Sequence, residues 1–292
     1  MGGSYSPAQL QMVRALAALG KRVFVPVHIT VNRAPFPNYR TDWVDALKLF
    51  LRFYAYERAG RFDVYKENAP RAVENCRAEL EGDDAPARVW REFERLINGR
   101  GSNPRVNCLY PEPGGKYDII TFCKQHAAAG GRNIYLFAYS GIVKNQLAQT
   151  HQALVGIRGI GPKIASLFLR DVFMENDLDN PDLRDREMVL PIDTWVQRAV
   201  DVFSGTNLSR EQAAKFLADI ADRARCSPLY LDSGIWYLGS QVAKSEQRLA
   251  SLLQDPNALR AALEVYRSDL VRQGKNEEAR LIAGLLADRQ RL

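Results

Sequence analysis

The chain has 292 residues, enough to bury a sizeable core in one large domain or in two. Hydrophobic residues at 46% and charged residues at 25% describe an ordinary soluble protein, and the net charge of +6 favours a polyanionic partner over an acidic small molecule. The N-terminus lacks a basic-then-apolar signal pattern, and no apolar run approaches the roughly 18 residues of a membrane helix. We therefore expect a cytoplasmic protein with no membrane partner.

The cysteine and histidine positions favour neither disulfides nor a metal site. Cysteine occurs at positions 76, 108, 123 and 226. No two of these are close in sequence, so we expect free, buried thiols in a reducing compartment. Histidine occurs at positions 28, 126 and 151, without the spacing of metal ligands. The sequence also contains no Walker or serine-nucleophile motif.

Most of the chain is predicted to be helical. Residues 23–31 form the one strand-like stretch of the sequence, although Pro26 weakens the prediction of a strand there. Apolar residues at three- and four-residue steps then predict helices over 43–54 and 89–97. Further along, Ser209-Arg-Glu-Gln212 is a capping box that opens another helix, and the segment from Asn257 onward contains one or two more. The expected class is mainly α, with at most a small strand element near the N-terminus.

The segment Gly159-Ile-Gly161 is typical of a tight turn between two short helices. Glycines permit positive φ angles, so successive backbone N–H groups can face outward and bind a phosphate at the start of the second helix. Pro162 suits the first position of that helix. The pattern is that of a helix-hairpin-helix motif, and the alternative is an αα-turn that merely requires glycines.

Lys163 is unusually placed for a structural residue. A cation in the first turn of a helix opposes the helix dipole by roughly 0.3–1 kcal/mol. The same positive field, with partial desolvation, favours the neutral and nucleophilic form of the amine. The alternative is a lysine that contacts phosphate or solvent.

Asp193 follows Pro191 and precedes an apolar helical pattern, so it is predicted to be the N-cap of a helix. By default such a residue only stabilises its helix, by roughly 1 kcal/mol. A fixed anion can also stabilise a sugar cation that develops beside it. The two interpretations are compatible.

These two segments carry a resemblance to a known family. Ile157-Arg-Gly-Ile-Gly-Pro-Lys-Ile-Ala165 resembles the hairpin of the helix-hairpin-helix DNA glycosylases of base excision repair. Leu190-Pro-Ile-Asp-Thr-Trp-Val-Gln-Arg198 resembles the aspartate segment of the same family. The resemblance covers roughly residues 140–240. It implies that Lys163 is the Schiff-base nucleophile of a bifunctional glycosylase and AP lyase, and that Asp193 is its catalytic carboxylate.

Two features of the sequence differ from the commonest branches of this family and indicate which branch the chain resembles. Lys163 and Asp193 are separated by an acidic connector, Glu175 to Glu187, and this long spacing is more similar to the archaeal-type 8-oxoguanine glycosylases. Several other branches carry a four-cysteine iron–sulfur cluster after the aspartate, whereas only Cys226 follows Asp193 here. We therefore expect no cofactor, and oxidised guanine as the excised base.

The resemblance also implies an architecture and a partner. It implies two helical domains that flank a DNA-binding cleft. We predict a central domain over 46–164 that ends in the hairpin, and a second domain formed by 1–45 and 165–292. The expected partner is double-stranded DNA with a damaged base, bound by a monomer. The damaged nucleotide is flipped out of the duplex before the base is removed.

Other residues are weaker candidates for the same interface. Gly159, Ile160 and Gly161 would contact DNA through the hairpin, and Arg158 and Arg198 could meet phosphates. The aromatic rings of Trp195, Trp236 and Tyr237 could stack on a flipped base, although such rings are more often part of a core.

Two rival functions stay open from the sequence. A monofunctional glycosylase would cleave the same bond with activated water and use Lys163 only as a DNA contact. A non-enzymatic DNA-binding protein would use the hairpin alone, with Asp193 as a helix cap.

Overall fold

The computed structural model describes residues 5–56, 63–98, 103–111, 115–128, 131–180 and 183–288, and these residues are mainly helical. Within these ranges the only β pairing is an isolated bridge between Tyr117 and Ile157. The mainly-α prediction is therefore confirmed. None of the described helices is long and apolar enough to cross a membrane.

The helices follow one another as α1 (Pro7–Leu19), α2 (Val31–Arg33), α3 (Trp43–Phe53), α4 (Asp63–Asn75), α5 (Ala85–Leu96), α6 (Ile119–Gln125), α7 (Ile134–Val143), α8 (Leu147–Val155), α9 (Pro162–Glu175), α10 (Thr194–Ser204), α11 (Arg210–Arg223), α12 (Pro228–Tyr237), α13 (Glu246–Gln254), α14 (Pro256–Arg272) and α15 (Asn276–Ala287). Two π-helical segments, Gly20–Thr30 and Leu238–Ala243, and the 3₁₀ segments Arg77–Glu79, Pro104–Val106 and Arg186–Val189 complete the order.

The strand predicted over 23–31 is wrong, because Gly20–Thr30 is π-helical and continues α1. The valines and the alternating pattern favour a strand locally. A lone strand would leave its backbone N–H and C=O groups without partners, whereas a helix pairs them within the segment. Val23 and Phe24 are buried, and the segment packs against α12 and α15. Burial of these side chains against α12 and α15 therefore outweighs the local preference for a strand.

The chain forms two compact units. The terminal unit combines Met1–Val31 with Asp179–Leu292, and the central unit is Asn32–Leu178. The boundaries predicted at 45/46 and 164/165 fall inside α3 and α9, each of which belongs whole to the central unit. The observed divisions lie between Val31 and Asn32, within the three-residue α2, and between Leu178 and Asp179, in the segment that follows α9.

In the terminal unit, α1 and α12 pack with their backbones in direct contact. A Cβ atom at Gly20 would lie 1.9 Å from the carbonyl oxygen of Tyr230. A Cβ atom at Gly234 would lie 1.8 Å from the carbonyl oxygen of Leu16. The two helices approach this closely only because both contact positions lack a side chain.

The central unit is built on a core of aromatic residues beneath α9. Phe168 makes edge-to-face contacts with Phe50 and Tyr54, with ring centroids 4.9 and 5.0 Å apart. Arg33 donates to the hydroxyl of Tyr54 at 2.8 Å, and that hydroxyl donates to Asp171 at 3.0 Å. Burial raises the pKa of Tyr54 well above its usual value, so the hydroxyl stays neutral and links two opposite charges. This chain of bonds ties the start of the unit to α3 and α9.

The glycine contact between α1 and α12 generates a stability prediction. Gly234→Ala forces a methyl group into a backbone carbonyl, and we expect a loss of about 3 kcal/mol or more. Gly284→Ala is the matched control, because nothing lies within 4 Å of that position in α15. It should stabilise the protein by about 0.5–1 kcal/mol. Urea unfolding measures both, and equal effects of the two substitutions would contradict the packing described.

Candidate nucleic-acid interface

The turn between α8 and α9 depends on one glycine conformation. Gly159 has φ +72°, in the left-handed region, whereas Gly161 has an extended backbone with φ −100° and ψ 173°. A Cβ atom at Gly159 would lie 2.2 Å from the carbonyl oxygen of Val106, while a Cβ atom at Gly161 would meet nothing within 4 Å. The turn therefore requires glycine only at position 159. At Gly161 the space beside the start of α9 is open.

The start of α9 presents unused backbone donors. Gly161 is the N-cap without a side-chain bond, and Pro162 occupies the first helical position, as predicted. The amides of Ile164 and Ala165 donate to the carbonyl of Gly161 at 3.0 and 3.1 Å. Within the described residues, the amides of Gly161 and Lys163 have no acceptor. Two open N–H groups at the positive end of a 14-residue helix form a site for an anion.

Lys163 lies in the first turn of α9 with an exposed side chain. In the ranges that the structure describes, no carboxylate lies within ion-pair distance of its amine. The partial desolvation expected from the sequence is not observed.

His151 joins the two hairpin helices beneath the surface. Its side chain extends from α8, and its Nε2 atom lies 3.2 Å from the carbonyl oxygen of Pro162 and 3.3 Å from the hydroxyl of Ser166. Burial lowers the pKa of His151, so the neutral ring is favoured. The ring holds the first turn of α9 against α8, directly below Lys163.

Arg158 supports the hairpin and does not lie on its surface. The residue is only 9% exposed, and its guanidinium lies 5.7 Å from the ring centroid of Tyr110. Its backbone N–H donates to the carbonyl of Tyr117 at 2.8 Å. The sequence-based role of Arg158 as a phosphate contact stays a prediction, and its burial does not favour it.

Asp193 is the N-cap of α10, as predicted. One carboxylate oxygen accepts from the amides of Trp195 and Val196 at 2.9 and 3.0 Å. The side chain is half-buried, and the structure gives its second oxygen no partner among the described residues. Asp193 belongs to the terminal unit and Lys163 to the central unit, so their joint action stays a prediction.

The aromatic candidates for a base pocket have different surroundings. Trp195 is half-buried, with its indole against Gly239, where a Cβ atom would lie 2.7 Å from the ring. Trp236 is half-buried and makes an edge-to-face contact with Phe24 at 5.7 Å. Tyr237 is fully buried, and its hydroxyl donates to Glu278. Trp195 and Trp236 retain surface for a ligand, whereas Tyr237 is part of the core.

Arg198 lies one turn after the Asp193 cap. Its side chain is half-buried, and its Nε atom has no hydrogen-bond partner among the described residues. An unpaired buried donor carries a desolvation cost, so an incoming acceptor such as a phosphate oxygen would relieve it. The predicted phosphate contact is compatible with this position.

Two exposed cations lie beside the hairpin but outside its motif, one in the loop around 100–105, whose contact with DNA was only a guess from the sequence, and one at position 116. Arg105 lies in the 3₁₀ segment whose Val106 carbonyl faces Gly159, and Lys116 donates to the carbonyl of Val155 at 3.0 Å. Neither residue belongs to a recognisable motif. Charge counting along the chain was the signal available for finding this surface.

Comparison with family models, with curated proteins and with solved structures found no match for this chain. Among the described residues, no group of three or more His, Cys, Asp or Glu side chains could hold a metal ion. The four cysteines form no disulfide among the described residues, and only Cys108 and Cys123 are fully buried, whereas burial was expected for all four.

The two hairpin glycines should respond differently to substitution. Gly159→Ala places a methyl group against the Val106 carbonyl at a positive φ, where an L-residue costs roughly 1–2 kcal/mol before any clash. Gly161→Ala meets open space, and we expect the free energy of unfolding to change by less than about 1 kcal/mol. Urea unfolding of both variants measures the difference. Similar losses would show that the turn does not have the described geometry.

His151 should make stability depend on pH. Its folded pKa lies below its unfolded value of about 6.5, so the unfolded chain binds more protons in the intervening window. The free energy of unfolding should therefore fall as pH decreases from about 6.5 through the folded pKa. Urea unfolding of the wild type and His151→Gln over this range tests the assignment. An identical pH dependence in the two proteins would contradict it.

Proposed function

We propose that this protein is a base excision repair DNA glycosylase with AP lyase activity. The observation that carries the proposal is the first turn of α9, where two open backbone amides lie beside an exposed lysine. The amides suit a backbone phosphate, and they leave the amine of Lys163 available for chemistry. The resemblance of the hairpin and of the Asp193 segment to the helix-hairpin-helix glycosylases supports the same proposal.

The proposed substrate is duplex DNA with one damaged base, with oxidised guanine favoured by the long spacing between Lys163 and Asp193. The duplex is bound by its phosphates at the hairpin, and the damaged nucleotide is flipped out of the stack. Trp195 and Trp236 are the candidates for stacking on the flipped base, because both retain exposed ring surface.

The proposed reaction starts with the neutral amine of Lys163. The amine attacks C1′, the N-glycosidic bond breaks, and the base leaves with the bonding electrons and takes up a proton. Asp193 stabilises the positive charge that develops on the sugar and assists the loss of a proton from the lysine nitrogen. Opening of the sugar ring gives a Schiff base between C1′ and the lysine. Loss of a C2′ proton then expels the 3′ phosphate, and water releases the enzyme.

Lys163→Gln tests the nucleophile. We expect borohydride trapping of a covalent adduct on 8-oxoguanine duplexes to disappear, while the affinity for DNA falls less than tenfold, because the backbone amides are retained. Lys144→Gln is the matched control, since Lys144 is exposed in the same unit and has no ion-pair partner among the described residues. Lys144→Gln should form the borohydride-trapped adduct as the wild type does. Trapping that survives in Lys163→Gln would remove this residue from the mechanism.

Asp193→Asn tests the carboxylate separately from the helix cap. Asparagine caps a helix about as well as aspartate, so the free energy of unfolding should change by less than about 1 kcal/mol. Loss of the fixed anion should slow base release by roughly 10²–10³-fold in single-turnover assays. A variant with wild-type rates would leave Asp193 with a capping role only.

One observation favours a non-enzymatic alternative. Lys163 is exposed, and no described group within hydrogen-bond distance could act as its base. A protein that used the hairpin only to bind DNA would bind the lesion duplexes without trapping or base release. Base release without trapping would instead indicate a monofunctional glycosylase. A panel of duplexes with 8-oxoguanine, uracil, thymine glycol and alkylated purines distinguishes these outcomes and identifies the base.

A further inference from the structure

Positive charge is concentrated in one part of the chain. Residues 119–170 contain six Lys and Arg residues and no Asp or Glu. The net charge of the whole chain is +6, so the remaining 34 basic residues only balance the 34 acidic ones. This acid-free segment comprises α6, α7, α8 and the first nine residues of α9, and therefore the turn of the hairpin; Asp171 and Glu175 follow within α9.

Arg158 and Arg170 are buried and Arg132 is paired with Glu81, so the exposed charge of the segment comes mainly from its lysines, Lys163 in the first turn of α9 among them. Unopposed cations around a turn with open amides are typical of a polyanion-binding surface.

Arg105 is held close to the hairpin by backbone packing. It lies in the 3₁₀ segment Pro104–Val106, whose last carbonyl faces the bare backbone of Gly159. Its own amide is bonded to the side chain of Asn103 at 3.2 Å. The side chain is exposed, and no carboxylate among the described residues pairs with it. Arg105 is therefore a cation with a fixed backbone, and its guanidinium has no ion-pair partner in the described part of the chain.

Lys116 lies on the other segment that contacts the hairpin. Its amine donates to the carbonyl of Val155, the last residue of α8, at 3.0 Å. The next residue, Tyr117, receives a bond from Arg158 at 2.8 Å and donates to Gly156 at 3.1 Å. This pairing fixes Lys116 beside the turn. An ammonium group has three donors, so further donors stay available for an anion.

The nearest acidic residue along the described chain does not oppose these charges at the surface. Asp118 is only 7% exposed, and its carboxylate accepts from the amides of Ile120 and Thr121 at 3.0 and 2.9 Å. It is the N-cap of α6. The carboxylate is thus directed inward and bonded, while the cations of the neighbouring segments are exposed.

We infer that Arg105, Lys116 and the start of α9 form one surface, the hairpin surface, that binds neighbouring backbone phosphates of duplex DNA. The inference deepens the proposed function, because it adds two residues from separate segments to the phosphate grip of the hairpin. The three positions come from three separate segments of the chain. A nucleic-acid backbone supplies a row of phosphates and can engage all three.

The test measures binding of a short undamaged duplex by fluorescence anisotropy as salt is raised from about 50 to 200 mM. Each lost phosphate contact should reduce the slope of log K against log salt by about 0.9. We expect that reduction in Arg105→Gln and in Lys116→Gln, with a weaker affinity in each. The double variant should lose about 1.8. Circular dichroism confirms that each variant is folded.

Arg88→Gln is the control for charge alone. Arg88 is an exposed residue of the central unit that is already paired with Asp84 at 2.6 Å. Its substitution should therefore leave the slope of log K against log salt unchanged. Arg105→Lys and Lys116→Arg keep the charge and should keep most of the slope. Slopes in the glutamine variants equal to that of Arg88→Gln would overturn the inference, as would binding by the wild type that does not depend on salt.

The outcome is separable from that of the proposed function because the duplex carries no lesion. Reduced slopes without any borohydride trapping by the wild type would support the hairpin surface and reject the lyase. Normal trapping with unchanged slopes would support the lyase and reject these two contacts.

Discussion

The contact between the backbone of Gly159 and the carbonyl of Val106 is the constraint on which the candidate interface depends. The contact requires a residue without a side chain, and the positive φ at the same position requires glycine again. Through this contact the turn between α8 and α9 is fixed to the 3₁₀ segment that carries Arg105. The bridge between Tyr117 and Ile157 fixes the other flank, and His151 fixes the first turn of α9 from below.

In the proposed function, binding and chemistry are assigned to different groups within a single turn. The groups suited to an anion are backbone amides, which are present whatever side chains surround them. The side chain of Lys163 is then not needed to hold the phosphate. The positive end of the helix attracts the phosphate through its backbone amides, and the exposed side chain of Lys163 stays available for the proposed reaction.

Features set by a few neighbouring residues could be predicted from the sequence. The positive φ of Gly159, the N1 position of Pro162, the N-cap at Asp193 and the capping box at Ser209 all depend on interactions within one turn of helix. The sequence permits a positive φ at both hairpin glycines, and only Gly159 has one, because Gly161 takes the extended conformation of an N-cap.

Features set by distant packing could not be predicted in the same way. The strand expected over 23–31 is a π-helical segment, because its contacts come from α12 and α15 far along the chain. The buried Tyr237 donates to Glu278, and the buried Arg158 lies against the ring of Tyr110. Lys116 is placed beside the hairpin by a bond to Val155, 39 residues away. Periodicity and motif spacing carry no information about such pairs.

The proposed function requires the amine of Lys163 to form a covalent bond with the sugar of a damaged nucleotide. Tandem mass spectrometry of the borohydride-reduced adduct from wild-type protein detects that bond. We expect a sugar remnant on the peptide that contains Lys163 and on no other lysine. A remnant on a different amine, or the absence of an adduct although the lesion duplex is bound, would contradict it.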